Sequence, residues 1–252
     1  MNSCVGVFIS FIGIVYVQYD VSSQALSSDP EGFTGMQNRN NPPDVKIIAP
    51  ENNSFFEWNT LVRYTISVED EEDGASEYQE IASNEVFLEV VYLLDTSNID
   101  DYLRGATHVD SDPVGLEMVK TSDCFNCHAV KTSMAGPSFA ELTNRYSPNT
   151  DTVTLLAHRV VKGSSGNWGN AAMPPHPDLT EEQARQMVKW LLEHAGDPNW
   201  DFYAGTEGAF RTMAMPESEE KGVYVLTATY TDHGLEDKPG KRGQHTIVLR
   251  SK

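Results

Sequence analysis

Cys124, Cys127 and His128, in the stretch Cys124-Phe125-Asn126-Cys127-His128, are the residues whose types and spacing most directly carry chemistry. Two thiols three positions apart can reach both vinyl-derived carbons on one edge of a porphyrin. A histidine directly after them then swings under the iron as proximal ligand, so C-x-x-C-H reads as the attachment pattern of a covalent, c-type haem. Two other chemistries use paired thiols. A thioredoxin-like redox pair follows a strand in a β-α-β unit, whereas helical text precedes this one. A zinc site wants a second Cys/His pair, and the remaining cysteine of the chain is Cys4, near its start.

The other axial ligand must come from elsewhere. The candidates after the motif are Met134, Met173, Met187, His158, His176 and His194. Met187 falls on the apolar stripe of a helix and reads as core. Met134 follows Cys127 by seven residues, too near in the chain to cross easily to the other haem face. Met173 lies 46 residues beyond Cys127, in Gly169-Asn170-Ala171-Ala172-Met173-Pro174-Pro175, a loop stiffened by two prolines. A thioether held there has little entropy left to lose. Met173 is the expected axial ligand, with His176, three residues on, as the alternative.

These residues sit in helical text between 112 and 196. Asp112 and Pro113 read as an N-cap and first helical residue, opening a helix that carries Leu116 and Val119 toward Cys124. Asp151 reads as the cap of a second helix, with Val153, Leu156 and Val160 on one face. Thr180 and Gln183 form a capping box for the last helix, whose buried stripe is Ala184, Met187, Val188 and Leu191; Gly196 and Pro198 stop it. Strand text flanks this block: VKIIAP at 45–50, LVRYTISV at 61–68 and EVFLEVVYLL at 85–94 before it, then AFRTMAM at 209–215, GVYVLTATY at 222–230 and HTIVLR at 245–250. Three strands make a poor domain, whereas six or seven make a sandwich. The expected fold class is multi-domain α and β, an all-α domain inserted into one β-sandwich; three serial pieces are the alternative.

Residues 112–196 resemble the class I cytochrome c domain. The likeness runs through the first helix, CFNCH, Ala135-Gly136-Pro137-Ser138-Phe139, GSSGNWGNAAMPPHP and the last helix with Lys189-Trp190-Leu191-Leu192. It implies that Pro137 offers its backbone oxygen to the second ring nitrogen of His128, fixing the tautomer. It also implies that Trp168 contacts a haem propionate and that Trp190 packs where the first and last helices cross. In the flanks, Gly222-Val223-Tyr224-Val225-Leu226-Thr227-Ala228-Thr229-Tyr230-Thr231-Asp232 resembles a strand of PKD-type, immunoglobulin-like domains, and Val68 to Gly74 resembles their early acidic turn. The whole of 44–251 is similar to the haem-bearing tail modules of bacterial secreted quinoprotein sugar dehydrogenases and trehalose-utilisation-type proteins. No such catalytic domain is present in this chain. The implied division is a first half-sandwich at 44–111, a cytochrome c domain at 112–196 and a second half-sandwich at 197–252.

A haem with His128 and Met173 on its two axial positions has no open site, which suits outer-sphere electron transfer rather than enzymic turnover. The expected partners are a dehydrogenase as donor and a cytochrome or oxidase as acceptor. The alternatives are a haem enzyme or gas sensor with a labile sixth ligand, and a sandwich that grips carbohydrate or a partner through exposed Trp58 or Trp200. One C-x-x-C-H excludes a dihaem peroxidase. Ser164-Ser165-Gly166 lacks an ordered His/Asp partner, and no glycine-rich phosphate loop follows a strand.

The N-terminal run Val5 to Val17 is 13 residues long, too short for an ordinary span but suited to a secretory h-region. Ser23-Gln24-Ala25 supplies small residues where a signal peptidase reads, so 1–25 is the expected signal peptide and 26–43 a linker. The expected location is periplasmic or secreted, with membrane attachment if the segment is not cleaved. The chain of 252 residues holds 37 acidic and 18 basic side chains, a formal charge of −19 that excludes sequence-independent nucleic-acid binding. Residues 112–196 carry 9 of the acidic and 7 of the basic side chains, so the acidity belongs to the rest of the chain. Its densest part, Asp70, Glu71, Glu72 and Asp73, could hold calcium together with Asp232, though the spacing is not that of an EF-hand loop; a solvated acidic turn is the simpler reading.

Overall fold

The computed structural model describes residues 39–97, 99–106, 111–216 and 222–252. The signal peptide expected at 1–25, Cys4 and most of the linker expected at 26–43 lie outside the described residues. Five strands come first: β1 (Asp44–Ala49), β2 (Phe55–Phe56), β3 (Leu61–Asp70), β4 (Gly74–Ala75) and β5 (Phe87–Leu93). Five helices follow: α1 (Ile99–Ala106), α2 (Val114–Thr121), α3 (Phe139–Arg145), α4 (Thr150–Lys162) and α5 (Glu181–His194). The chain then returns to strands with β6 (Trp200–Ala204), β7 (Glu207–Arg211), β8 (Val223–Thr231) and β9 (Arg242–Ser251).

The strands form two sheets. In one, β3 pairs antiparallel with β1, β4 and β7. The other runs β2-β9-β8-β5-β6. Tyr64, Ile66 and Val68 from the first sheet share one core with Leu88, Val90, Tyr92, Leu226, Tyr230 and Ile247 from the second. The helical segment leaves the second sheet at the end of β5 and comes back at β6, which pairs antiparallel with β5, Val91 opposite Trp200 and Phe87 opposite Ala204. The sequence pattern missed β6, because its five residues begin beside Pro198 and follow no long apolar run.

The outer face of the second sheet explains why β5 and β8 read as continuous apolar text rather than alternating text. A strand covered on both faces has no solvent side to encode. Val223, Val225 and Val248 lie under Ile99 and Leu103 of α1. Phe87 and Phe202 lie under the helices, in one core with Leu116, Val119, Val130, Phe139, Met187 and Leu191. The helical segment is therefore packed directly on the sheet and not tethered by a loose linker.

Local signals start the helices, with two departures from expectation. Thr180 and Gln183 do form a capping box at α5, and Ser138 with Glu141 forms another at α3, an S-x-x-E signal passed over in the sequence. Asp151 is not the cap of α4. Asn149 takes that place, its side chain accepting from the Thr152 N–H at 2.9 Å, and Asp151 falls in the first turn. Asp112 is not a cap either, since α2 begins behind Pro113 with no side-chain cap. Its carboxylate instead bridges Lys120 and Arg242; the three side chains are 7 %, 4 % and 11 % exposed. A buried carboxylate facing two cations gains more from them than from one amide N–H. Glu89 closes the same region, accepting from the Trp200 indole N–H at 2.8 Å.

Trp200 is consequently half-buried in β6, edge-on to Trp190 at 5.6 Å. Trp58 packs against the sheet core, edge-on to Phe56 at 5.0 Å. Neither is the exposed aromatic that a carbohydrate-gripping surface would need. Among the described residues no helix is long and apolar enough to cross a membrane.

Candidate functional site

Behind α2, residues Cys124–Asn126 make one tight turn, in which the N–H groups of Cys127 and His128 both donate to the Cys124 carbonyl, at 3.2 and 3.0 Å. The turn folds both thiols and the imidazole onto one cavity, which all three line. Burial first, and the Asp123 charge second, push the Cys124 thiol up to about 12. A thiol raised in this way stays protonated at neutral pH in the metal-free protein.

The segment after the motif fixes His128. Its Nδ1 lies 2.6 Å from the Pro137 carbonyl oxygen. A carbonyl only accepts, so Nδ1 carries the proton and Nε2 is left with its lone pair for a metal. Gly136 makes the close approach possible: its N–H donates to the Cys127 carbonyl at 2.9 Å, and a β-carbon there would stand 2.4 Å from the imidazole Cε1. Phe139, the first residue of α3, stacks on the ring with centroids 5.3 Å apart.

The loop between α4 and α5 also lines the cavity. Met173 is clamped by its backbone, donating to the Ser164 carbonyl at 2.8 Å and accepting from the Ser164 N–H at 3.0 Å. Gly163, at φ +79°, lets this clamp close; a β-carbon there would press on the Met173 carbonyl at 2.9 Å. Met173 and Pro174 both line the cavity. His176 also lines it, but its Nε2 faces an Asp123 carboxylate oxygen at 2.9 Å and its Nδ1 the Val160 carbonyl at 3.2 Å. Met187 is buried in the core of α5, and Met134 is 55 % exposed.

Apolar side chains from three helices fill the floor: Leu142, Leu156, Val160, Val188 and Leu191. The rim is cationic and aromatic. Trp168 lies there half-buried, with the Arg145 guanidinium 4.6 Å from its ring. Arg159 also lines the cavity and donates to the Tyr146 hydroxyl at 3.0 Å. Arg145, Arg159 and Phe139 were not singled out from sequence, since nothing in their local text places them on one rim. Trp190 sits where α2 and α5 cross, its Cβ 2.3 Å from where a β-carbon on Gly115 would stand.

The residues fit a covalent haem. Two free cysteines three apart line an apolar cavity together with an imidazole whose Nδ1 is tethered and the thioether-bearing Met173. Two arginines at the rim suit a macrocycle with carboxylate substituents.

Comparison with known proteins places the helical segment in a family. The family model described as cytochrome c matches residues 115–195. Cytochrome c-551 of Azotobacter vinelandii is 40 % identical over 80 residues, which is 32 % of this chain and 96 % of that protein. Cytochrome c-552 of Hydrogenobacter thermophilus is 36 % identical over 76 residues, 30 % of this chain and 76 % of its own length. Among solved structures, cytochrome c552 of Nitrosomonas europaea aligns at 32 % identity with 31 % of this chain and 95 % of its own, with a TM-score of 0.29. Through the helical segment that carries the C-x-x-C-H turn, this chain belongs to the cytochrome c family, a c-type cytochrome of electron transfer with one covalent haem c.

Proposed function

We propose that this chain is a periplasmic or secreted monohaem electron carrier, with Cys124 and Cys127 as the covalent attachment points and His128 and Met173 as axial ligands. In this reading a dehydrogenase is the electron donor, and a further cytochrome or an oxidase the acceptor. The cytochrome c domain, 112–196, is inserted into a PKD-type, immunoglobulin-like sandwich formed by 44–111 and 197–252. Support for the insertion comes from the return of the chain from β5 to its antiparallel neighbour β6 across all five helices.

The observation that carries the ligand assignment is the pair of clamps on two residues that line one cavity. Pro137 holds the His128 ring by Nδ1, and Ser164 holds the Met173 backbone on both sides. His176, the alternative, has an oxygen acceptor at each ring nitrogen. When bound, the haem supplies one iron that cycles between ferric and ferrous forms without bond changes in a substrate. His128 and Met173 keep small exogenous ligands off the metal. The apolar floor excludes water, which favours the less charged, reduced centre. Arg159 would balance carboxylate charge at the cavity, with Arg145 stacked on Trp168 beside it.

The test is a pyridine haemochrome measurement and a carbon monoxide titration on protein matured in a periplasm. One covalent haem per chain and no carbon monoxide binding to the reduced protein are expected. Rapid binding would overturn the closed-site reading in favour of an enzyme or gas sensor.

A further inference from the structure

The acidic end of the two-sheet domain, remote from the haem motif in sequence, contains an arrangement that electron transfer does not use. Asn40 lies four residues ahead of β1, Asp70 ends β3 and Asp232 follows β8 directly. Asp44 at the start of β1 pairs with Glu69 at the end of β3, so the register brings these positions to one edge. Asn40 is 2 % exposed and Asp232 5 % exposed. The Asn40 side-chain amide donates to Asp232 Oδ1 at 3.0 Å and to the Pro239 carbonyl at 3.2 Å. Both amide hydrogens are thereby assigned, which fixes the orientation of the carboxamide and leaves its oxygen with no donor.

Three buried oxygens here have no hydrogen-bond partner: Asn40 Oδ1, Asp70 Oδ2 and Asp232 Oδ2. In each carboxylate the other oxygen is fully engaged. Asp70 Oδ1 accepts from the N–H groups of Glu72 and Asp73, at 3.0 and 2.8 Å. Asp232 Oδ1 accepts from Asn40 and from the N–H groups of Gly234 and Lys241, at 2.7 and 3.1 Å. The loops are thus built to hold each carboxylate by one oxygen and leave the other bare. A buried anionic oxygen without a donor costs several kilocalories per mole and persists where something else compensates it.

No protein cation does so. Among the described residues neither Asp70 nor Asp232 forms an ion pair, and the Lys241 ammonium goes to the Asn40 backbone carbonyl at 2.5 Å. Burial and then the charges of Asp70, Glu71 and Asp232 push the Glu72 carboxyl up. Asp73 is committed elsewhere, accepting from the Tyr230 hydroxyl at 2.6 Å and the His233 N–H at 2.9 Å. Among the described residues no three His, Cys, Asp or Glu side chains converge on one point, so this is not a thiolate or imidazole site. It offers two carboxylate oxygens and one carboxamide oxygen.

We propose that Asn40 Oδ1, Asp70 Oδ2 and Asp232 Oδ2 bind one calcium ion that ties the start of β1 to the ends of β3 and β8. An all-oxygen set of two carboxylates and an amide on loops suits a large, hard cation with flexible coordination. Magnesium demands near-octahedral geometry and gives up its water reluctantly, so it binds this site more weakly.

The haem-loaded full chain, stripped with chelator, is titrated with calcium and separately with magnesium by calorimetry, and its Tm is read in about 10 mM of either ion. One calcium per chain and a Tm rise of roughly 5 °C are expected, as for an extracellular calcium module, with a smaller response to magnesium. Asp70→Asn and Asp232→Asn keep the engaged oxygen and replace the bare one with an amide, and each lowers calcium affinity at least tenfold with the haem spectrum unchanged. Glu207→Gln, opposite Thr65 in the middle of β3, removes a charge without changing the affinity. No heat and no Tm shift in the wild type would overturn the proposal. So would wild-type affinity in both aspartate variants, or equal losses in all three, which would mark diffuse attraction to an acidic surface.

Discussion

Gly136 and His128 are packed so closely that a β-carbon on the glycine would fall 2.4 Å from the imidazole Cε1 and 2.9 Å from both ring nitrogens. The contact locates the ring as firmly as the Pro137 hydrogen bond does, because the imidazole has a wall on one side and Phe139 stacked on it.

Gly136→Ala is therefore expected to displace the imidazole or lift the 136–137 backbone away from it. Overpacking of this kind costs about 1–3 kcal/mol. Guanidinium unfolding of the haem-loaded protein should show the loss, and haemochrome assay should show a lower yield of covalent haem. An unchanged midpoint and yield would mean that the loop moves freely and does not position the ligand.

Met173→Ala and His176→Ala separate the two axial candidates. The far-red sulfur-to-iron band of the ferric protein should vanish in the first and persist in the second. His176→Ala should instead loosen the loop, since it removes contacts to Asp123 and Val160. Persistence of the band in Met173→Ala would assign the ligand to another methionine.

Asp112 faces Lys120, 8 residues on, and Arg242, 130 residues on, joining the start of α2 to β9. Removing one partner of a buried ion group costs about 3–5 kcal/mol, so Asp112→Asn should lower the urea midpoint clearly at pH 7. Burial pushes the Asp112 carboxyl up, but Lys120 and Arg242 outweigh it and hold the group below the ordinary carboxylate range. A depressed folded value means that the stabilisation is complete above the unfolded value of about 3.9 and is lost as pH falls through the folded one. The gap between wild type and variant should thus stay constant from pH 7 to about 5 and close below about 4. A gap that widens in acid would contradict the assignment.

Phe87 belongs to β5 yet is buried among the helices, 5.8 Å from Phe125 within the C-x-x-C-H motif and 5.5 Å from Phe202. Phe87→Ala should cost about 3–5 kcal/mol. Because the void left by the truncation lies between the sheet and the helices, calorimetry should also show one unfolding transition separating into two. A single transition of unchanged shape would show that the shared core does not couple the two parts.

The chemistry of the site was legible in the sequence because it is local. The Cys124–His128 turn closes on its own backbone, and the Thr180 capping box needs four consecutive residues, so neighbours along the chain suffice to specify both. Runs of β-branched and aromatic residues likewise located the long strands, though not the five-residue β6 nor the two-residue β2 and β4. What the tertiary structure decided are the competitions between local and distant partners. Asp112 has the sequence position of a cap and is drawn instead to Arg242, 130 residues away. Trp200 reads as a loop aromatic and becomes the partner of Glu89. Met173 is the expected ligand in the sequence with His176 as its alternative, and the tertiary structure engages the two differently, His176 with Asp123 and Met173 with Ser164. The carboxylates of the acidic turn look alike in sequence; only burial shows which of their oxygens have no donor. A hydrogen bond between neighbours is encoded by spacing, whereas the choice between two possible partners depends on which of them folding takes out of water.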